Sequence, residues 1–252
     1  DTPEIRKGLL YSMAIAAAIH VVLLVLSALL SRPLKLDAVE QVNVIYSNAA
    51  ALVIPLVKAL MGDAYVIYSC AFIIVQLVLL WTHASSLLQG SSALDWKKVL
   101  TNINMIAIAA GALLYWFRVV LPAPLQNTMS TVGNMMGPMG MLLAGMAIAE
   151  KPLREVFCTR RNYLPTVLRL VVCPLVVLVL LWVCHASRWV ADGKNILMTV
   201  YLAAITPACA TVTSMAQLYD RDAAHSSALY VLTTLLSIVS MPVMIGLFDL
   251  LL

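Results

Sequence analysis

Long apolar segments, separated by short polar connections, fill almost the whole chain. A membrane-spanning helix needs about 20 mostly apolar residues to cross the hydrocarbon core of a bilayer. Eight segments reach this length: residues 8–31, 37–61, 64–89, 99–121, 124–149, 162–186, 195–218 and 223–251. The connections between them carry the turn-forming and charged residues, and none is long enough to form a soluble domain. The pattern predicts an all-α membrane protein.

The scarcity of charge supports lipid as the solvent around these segments. Charged residues make up 11% of the 252 residues and hydrophobic residues 62%, whereas a soluble domain carries about 25% charge because its surface faces water. The net charge of +4 lies mainly in short connections, which indicates membrane topology and argues against a nucleic-acid partner. Nucleotide-binding loops and metalloprotease motifs do not occur in the sequence. We therefore expect no cofactor, no metal site and no enzymatic activity.

The distribution of lysine and arginine predicts how the segments are oriented. Cytoplasmic connections carry an excess of these residues. If residue 1 lies outside, nine basic residues fall in inner connections and four at outer helix ends, so we expect both termini outside. The inner residues are Arg32, Lys35, Lys97, Lys98, Lys151, Arg154, Arg160, Arg161 and Arg221, and the outer ones are Arg6, Lys7, Arg188 and Lys194.

The second and third segments share a pattern with the seventh and eighth. One constant offset places Asn48 on Pro207 and the acidic turn 62–64 on the turn 221–223. Because the second and seventh segments run in opposite directions under the predicted orientation, the pattern predicts an inverted repeat. Polar residues or proline interrupt both segments near their middles, at Ser47 with Asn48 and at Thr206 with Pro207.

These interruptions have a physical consequence inside a membrane. Proline removes a backbone donor, and a broken helix persists in lipid only where protein or a water-filled cavity satisfies the freed groups. We therefore expect two broken helices that cross at the bilayer midplane, where partly positive helix N-termini can hold a carboxylate. The alternative is that such prolines only kink a helix, and we adopt it for Pro138, Pro174 and Pro242.

Several short stretches, taken in their order along the chain, carry a family resemblance. They are Asn48 to Leu56 followed by Gly62-Asp63, Leu121 to Leu125 followed by Gly133, Pro138 and Gly145 to Ala149, Arg169-Leu170 with Pro174-Leu175, Pro207-Ala208, Ala216 to Tyr219, Asp222-Ala223, Leu232 to Ser237 and Met241-Pro242. In this order they resemble the auxin efflux carrier family, which includes plant PIN-type carriers and bacterial organic-acid permeases. The resemblance extends over nearly the whole chain.

The resemblance implies an architecture. Members of the family have ten helices in two inverted sets of five, like sodium–proton antiporters and bile-acid symporters. The first apolar segment here matches the family's third helix, so we expect the first two helices to be missing from this sequence. Residues 1–90 and 160–252 then form the two halves of a transport domain, and residues 91–159 form part of a scaffold. The resemblance also implies a homodimer, and the small residues Gly137, Gly140, Ala144 and Gly145 would allow close helix approach there.

The candidate substrate-binding residues are Asn48, Ser47, Gln76, Thr206, Pro207, Thr211 and Asn134. The Asn48 amide can donate to a carboxylate, and the resemblance places it where the broken helices cross. The small hydroxyl residues can contact substrate or serve close packing, and Asn48 and Gln76 can instead bond one helix to another. Asn134 lies on a predicted scaffold helix and is expected to face the site from the opposite wall.

Three ionisable residues within the apolar segments, His20, Arg169 and Lys58, need an explanation. His20 is near the middle of the first segment, where it can carry a proton during transport or remain a neutral, hydrogen-bonded core residue. Arg169 and Lys58 are nearer to segment ends, so we expect their side chains to reach the interface and to have a structural role.

Together these features predict a secondary transporter in a cell membrane, expected to be a bacterial inner membrane. The substrate would be a small organic anion, such as a dicarboxylate or an auxin-like aromatic acid, carried by alternating access of the transport domain against the scaffold. An ion-coupled symporter of the same fold would need ion ligands near the crossing. A non-transporting membrane ligand sensor is a further alternative.

Overall fold

A computed structural model of the chain describes residues 3–90, 101, 103–135, 138, 139, 142, 146, 149 and 152–252. These residues form helices, and no β-strand occurs among them. The basic residues Lys97, Lys98 and Lys151, and the small residues Gly137, Gly140, Ala144 and Gly145, lie outside the described part. The helices are α1 (Pro3–Ser31), α2 (Ala38–Ile45), α3 (Ala49–Leu60), α4 (Val66–Leu79), α5 (Ser85–Gln89), α6 (Ile103–Trp116), α7 (Ala123–Asn134), α8 (Leu153–Cys158), α9 (Tyr163–Val167), α10 (Cys173–Val183), α11 (Gly193–Ile205), α12 (Ala210–Leu218) and α13 (Ala223–Leu251).

Four helical stretches of the described residues are long and apolar enough to cross a membrane. They are Glu4–Ser31, Asp63–Gln89, Arg160–Val183 and Ala223–Leu251. A π-helical segment, Leu80–Ala84, joins α4 to α5, and another, Leu168–Val172, joins α9 to α10. These stretches correspond to four of the eight segments predicted from hydropathy, which confirms an all-helical membrane protein.

Two other predicted segments each contain two shorter helices. In segment 37–61, α2 ends at Ile45 and α3 begins at Ala49. In segment 195–218, α11 ends at Ile205 and α12 begins at Ala210. The connecting residues 46–48 and 206–209 are not helical, and we refer to these two connections together as the junction.

The core lies where α11 packs against α1, α3, α4 and α10. Every residue of α11 from Ile196 to Ile205 is buried, which is expected of a helix that is apolar on all sides and sits inside a bundle. By contrast, α1 buries Ile15, Ile19 and Leu23 but exposes Val21 on its other side. The outer helices therefore have one face on the core and one apolar face for lipid.

Connections that are distant in sequence meet at the two ends of the bundle. At one end the Tyr65 hydroxyl donates to a carboxylate oxygen of Asp192 at 2.6 Å. At the other end Arg161 forms an ion pair with Glu40. Both contacts join residues more than 120 positions apart, so they fix how the helices lie relative to one another.

Candidate functional site

The two connections of the junction lie side by side and hydrogen-bond through their backbones. The amide of Asn48 donates to the carbonyl of Pro207 at 2.8 Å, and the amide of Cys209 donates to the carbonyl of Tyr46 at 3.2 Å. Ser47 and Ala208 form an antiparallel bridge between these two bonds. Each connection therefore pairs a backbone group that would otherwise be left free at a helix end of the other, and buried backbone groups need such partners.

Four helix ends meet at the junction. The C-termini of α2 and α11 arrive there, and the N-termini of α3 and α12 leave from it. Each C-terminus carries about half a negative elementary charge, and each N-terminus about half a positive one. The Asn48 side chain, at the N-cap of α3, makes no capping hydrogen bond. At the N-cap of α12 the Cys209 sulfur lies near the backbone amides of Thr211 and Val212, but a thiol sulfur is only a weak acceptor. The positive helix ends are thus capped weakly or not at all by these two side chains.

Arg169 lies directly against the junction and is 1% exposed. Its Nη2 donates to the carbonyls of Ala204 at 2.6 Å and Thr206 at 2.7 Å, and its Nε also donates to Thr206 at 3.1 Å. Its Nη1 donates to the carbonyls of Val44 at 3.1 Å and Ile45 at 3.3 Å. The expectation that this side chain reaches the membrane interface is therefore wrong. The guanidinium instead caps the C-terminal ends of α2 and α11.

Gln76, on α4, is bonded to Ser47. The Ser47 backbone amide and hydroxyl donate to Oε1 of Gln76 at 3.1 and 2.6 Å, and Nε2 of Gln76 donates to the Ser47 carbonyl at 2.7 Å. Both residues are buried. This geometry matches the helix-to-helix role that the sequence left open for Gln76, because its oxygen and nitrogen are already engaged by the protein.

The remaining junction candidates differ in how free their polar groups are. The Thr206 hydroxyl donates to the carbonyl of Ala203 at 3.0 Å and is buried. Thr211, on the first turn of α12, is half-buried. The Asn48 side chain is 5% exposed and interacts with Tyr230 of α13. The junction therefore brings together Asn48, Ser47, Gln76, Thr206, Pro207 and Thr211.

Asn134 lies elsewhere, in a cleft of about 220 Å³ between α3 and α7. The cleft runs along the side of α3 that faces the predicted scaffold. Its walls are formed by Ala50, Ala51, Ile54, Pro55, Lys58, Gly133, Asn134 and Pro138. Asn134 therefore faces the first turns of α3, which start at the junction.

Comparison with known families identifies the class of protein. Residues 92–245 match the model of a family described as membrane transport proteins, which is more than half of the chain. The chain belongs to this membrane transport protein family. This confirms the resemblance to the auxin efflux carriers, which are in the same family. The match includes Arg169, Thr206, Pro207 and Thr211 and begins after Asn48, Ser47 and Gln76. No curated protein matches the chain.

The buried His20 of α1 is of interest in a membrane transport protein because a histidine can carry a proton. Its Nδ1 lies 2.7 Å from the carbonyl oxygen of Ala16, and its ring packs on Phe72 at a centroid distance of 4.5 Å. Since a carbonyl only accepts, Nδ1 carries the hydrogen, and Nε2 makes no hydrogen bond to the residues that the structure describes. The ring lies beside the Gln76 side chain. The packing on Phe72 and the hydrogen bond to Ala16 match the hydrogen-bonded core residue that the sequence offered as one of two alternatives for His20.

A second polar cluster anchors the start of α2 in this transporter. The Glu40 side chain is 1% exposed and pairs with Arg161, and His225 Nε2 lies 3.3 Å from its Oε1. Ligand atoms of Asp37, Glu40 and His225 lie within 4.8 Å of one another, which is close enough to hold a metal ion. However, the Arg161 guanidinium already neutralises the Glu40 carboxylate, so the cluster links α2 to the turn Arg160–Asn162 before α9 and to α13.

Sequence reasoning missed three residues at the junction. Arg169 was assigned to the interface, whereas Tyr230 and Thr233 of α13 were not singled out. Thr233 accepts a hydrogen bond from the Ala208 amide at 3.2 Å through Oγ1. The only signal in the sequence is that Tyr230 and Thr233 are three positions apart and so share one face of α13, but α13 contains several other polar residues, so this signal is weak.

Proposed function

We propose that this membrane transport protein is a secondary transporter of a small organic anion, such as a dicarboxylate or an auxin-like aromatic acid. The observation that carries the proposal is the meeting of two interrupted helices, with the N-termini of α3 and α12 starting at one point. Half-helix N-termini at such a point attract the carboxylate of a substrate in inverted-repeat transporters. The proposed crossing lies at the bilayer midplane.

The proposed anion site is centred on Asn48 and the first turn of α12. The Asn48 amide can donate a hydrogen bond, and the backbone amides at the two helix starts contribute partial positive charge. Thr211 can add a hydroxyl donor. A hydrogen bond from a neutral donor to an ionised acceptor is stronger than one to a neutral acceptor, so the site favours the carboxylate form of an acid.

In the proposed cycle, residues 1–90 and 160–252 form a transport domain that moves against a scaffold containing residues 91–159. The cleft between α3 and α7 lies between these parts and would change shape during the movement. The proposed assembly is a homodimer in a bacterial inner membrane. The exposed apolar side chains of α7, including Leu125, Met129 and Val132, would face lipid or the second copy.

Uptake into proteoliposomes tests the proposal. The full-length protein is reconstituted, and labelled dicarboxylates and aromatic acids are offered with and without proton and sodium gradients. We expect saturable uptake of at least one acid that an excess of the unlabelled acid competes away. Liposomes that carry a heat-inactivated sample serve as the control. Absence of saturable uptake across both chemical classes would reject the anion-carrier function.

A further inference from the structure

We infer that Arg169 is a resident cation in a cradle of backbone carbonyls, and that this cradle becomes a binding site for a free cation when the side chain is removed. The inference rests on the proposed anion-carrier function, since it explains how the junction is kept positive enough for an anion. One buried guanidinium, that of Arg169, makes five hydrogen bonds here.

All the hydrogen bonds found for this guanidinium in the described residues end on carbonyl oxygens. Val44 and Ile45 supply two at the end of α2, and Ala204 and Thr206 supply two at the end of α11. Guanidinium has five N–H donors in a planar fork, and donors on all three of its nitrogens are used here. One side chain therefore holds the C-terminal ends of both interrupted helices.

The charges at the junction explain why a cation belongs there. The two C-termini together carry about one negative charge, and the two N-termini about one positive charge. The guanidinium cancels the negative ends, which leaves the positive ends of α3 and α12 to act on a ligand. Without Arg169 the four ends would sum to about zero, and the preference for an anion would be lost.

The same set of oxygens is suited to a free cation. Unwound carbonyls and half-helix C-termini coordinate Na⁺ in transporters with interrupted helices. Here the carbonyls of Val44, Ala204 and Thr206 point at the guanidinium instead. The junction is thus already charged before any ion arrives, and the proposed transport of an anion needs no cation bound in this cradle.

The test measures thermal unfolding of the purified full-length protein and of Arg169→Ala. Sodium chloride and guanidinium chloride, at millimolar concentrations, are each compared with choline chloride at equal ionic strength. We expect the Tm of the wild type to be the same in all three salts. We expect guanidinium, and more weakly sodium, to raise the Tm of Arg169→Ala by about 3–5 °C with saturation, because a ligand stabilises the state that binds it.

Arg221→Ala is the matched control. Arg221 also donates to a backbone carbonyl, that of Leu88 at 2.6 Å, but the residue is exposed. Water can replace its guanidinium, so neither salt should raise the Tm of this variant more than that of the wild type. If the Tm of both variants rises equally, the carbonyls around Arg169 bind a cation no better than an exposed site does, and the inference is rejected.

Two further outcomes separate this inference from the proposed function. A saturable rise of the wild-type Tm with sodium, or uptake of the acid that requires sodium bound at the junction, overturns the resident cation and leaves the anion carrier standing. Lack of uptake of any acid, together with rescue of Arg169→Ala by guanidinium, overturns the anion carrier and leaves the cradle. If Arg169→Ala does not fold, Arg169→Lys takes its place, with a smaller response expected because the ammonium still fills part of the cradle.

Discussion

At the junction, Gln76 makes three hydrogen bonds to Ser47, two through its oxygen and one through its nitrogen. Two of them reach the backbone of a non-helical segment. Because a buried backbone group without a partner costs about 1–3 kcal/mol, the amide contributes to stability mainly by preventing that cost. The Gln76 side chain therefore stabilises the backbone of the junction.

We predict that Gln76→Ala lowers the free energy of unfolding by about 2–4 kcal/mol, since it leaves the amide and carbonyl of Ser47 unpaired. Thermal or chemical denaturation of the purified protein measures the change. Gln217→Ala is the control, because Gln217 is exposed on α12 and its loss should change stability by less than about 0.5 kcal/mol. Equal losses in the two variants would contradict the role of Gln76.

Asn48 is expected to act on substrate rather than on the fold. We predict that Asn48→Ala weakens the apparent affinity for the transported acid about tenfold, which corresponds to about 1.4 kcal/mol. Asn48→Asp should be worse, because it opposes one carboxylate with another. The concentration dependence of uptake measures both effects. Asn195→Ala, at an exposed position near the start of α11, should keep the wild-type dependence, and wild-type behaviour of the Asn48 variants would remove Asn48 from the site.

Sequence reasoning selected the polar residues of the junction but misjudged Arg169. Asn48, Thr206 and Pro207 stood out because polar residues and proline are rare inside apolar segments. Arg169 was placed by its distance from the segment end, and that distance does not reveal its partners. Those partners are backbone carbonyls of Val44, Ile45, Ala204 and Thr206, and a carbonyl has no signature in the sequence. These partners can be identified only from the positions of α2 and α11 in the structure.

Among the elements, proline has three different outcomes. Pro207 lies in a connection where the helix has stopped. Pro174 is the second residue of α10, directly after the π-helical segment Leu168–Val172. Pro242 lies inside α13, which stays continuous from Ala223 to Leu251. Each proline lacks an N–H, so the presence of a proline does not by itself decide whether a helix stops there.

The long helices were accessible to prediction, and their internal irregularities were not. Segment 223–251 agrees with α13, and segment 64–89 agrees with the stretch Asp63–Gln89, since length and hydropathy determine such helices. The π-helical segments and the short helix α8 (Leu153–Cys158) were not predicted. A π turn adds one residue to a helical turn, and hydropathy is insensitive to that difference.

The start of α2 is held by an ion pair in which the Glu40 side chain is 1% exposed and the Arg161 side chain is 42% exposed. We predict that Arg161→Ala lowers the free energy of unfolding by about 2–3 kcal/mol, because the buried Glu40 carboxylate loses its main counter-charge. Denaturation of the purified protein measures the effect.

Lys58→Ala is the control for this ion pair. It breaks the ion pair between Lys58 and Asp63, whose side chains are 48% and 83% exposed, respectively. Exposed ion pairs contribute less than about 1 kcal/mol to stability. A loss as large for Lys58→Ala as for Arg161→Ala would show that burial of Glu40 does not matter.

For the whole molecule, two native cysteines report the orientation. Cys158 ends α8, and Cys184 follows α10. Both are exposed, whereas Cys173 and Cys209 are buried. Under the orientation expected from lysine and arginine, Cys184 is outside and Cys158 inside.

We predict that a membrane-impermeant thiol reagent labels Cys184 in intact cells and labels Cys158 only after permeabilisation. The variants Cys184→Ser and Cys158→Ser assign each signal, and the doubly substituted protein gives the background. Labelling of Cys158 in intact cells, with Cys184 protected, would reverse the orientation.

The backbone bridge between Ser47 and Ala208 also has a mechanical consequence. Neither the pair α2 and α3 nor the pair α11 and α12 can slide along the other without first breaking the bonds from Asn48 to Pro207 and from Cys209 to Tyr46. A pull on α3 is therefore transmitted to α11 through main-chain atoms, which side-chain substitution leaves in place. A displacement in one half of the sequence is therefore passed on to the other half through these backbone hydrogen bonds. We therefore expect a change of shape to occur away from the junction, at surfaces between helices that contact each other only through side chains.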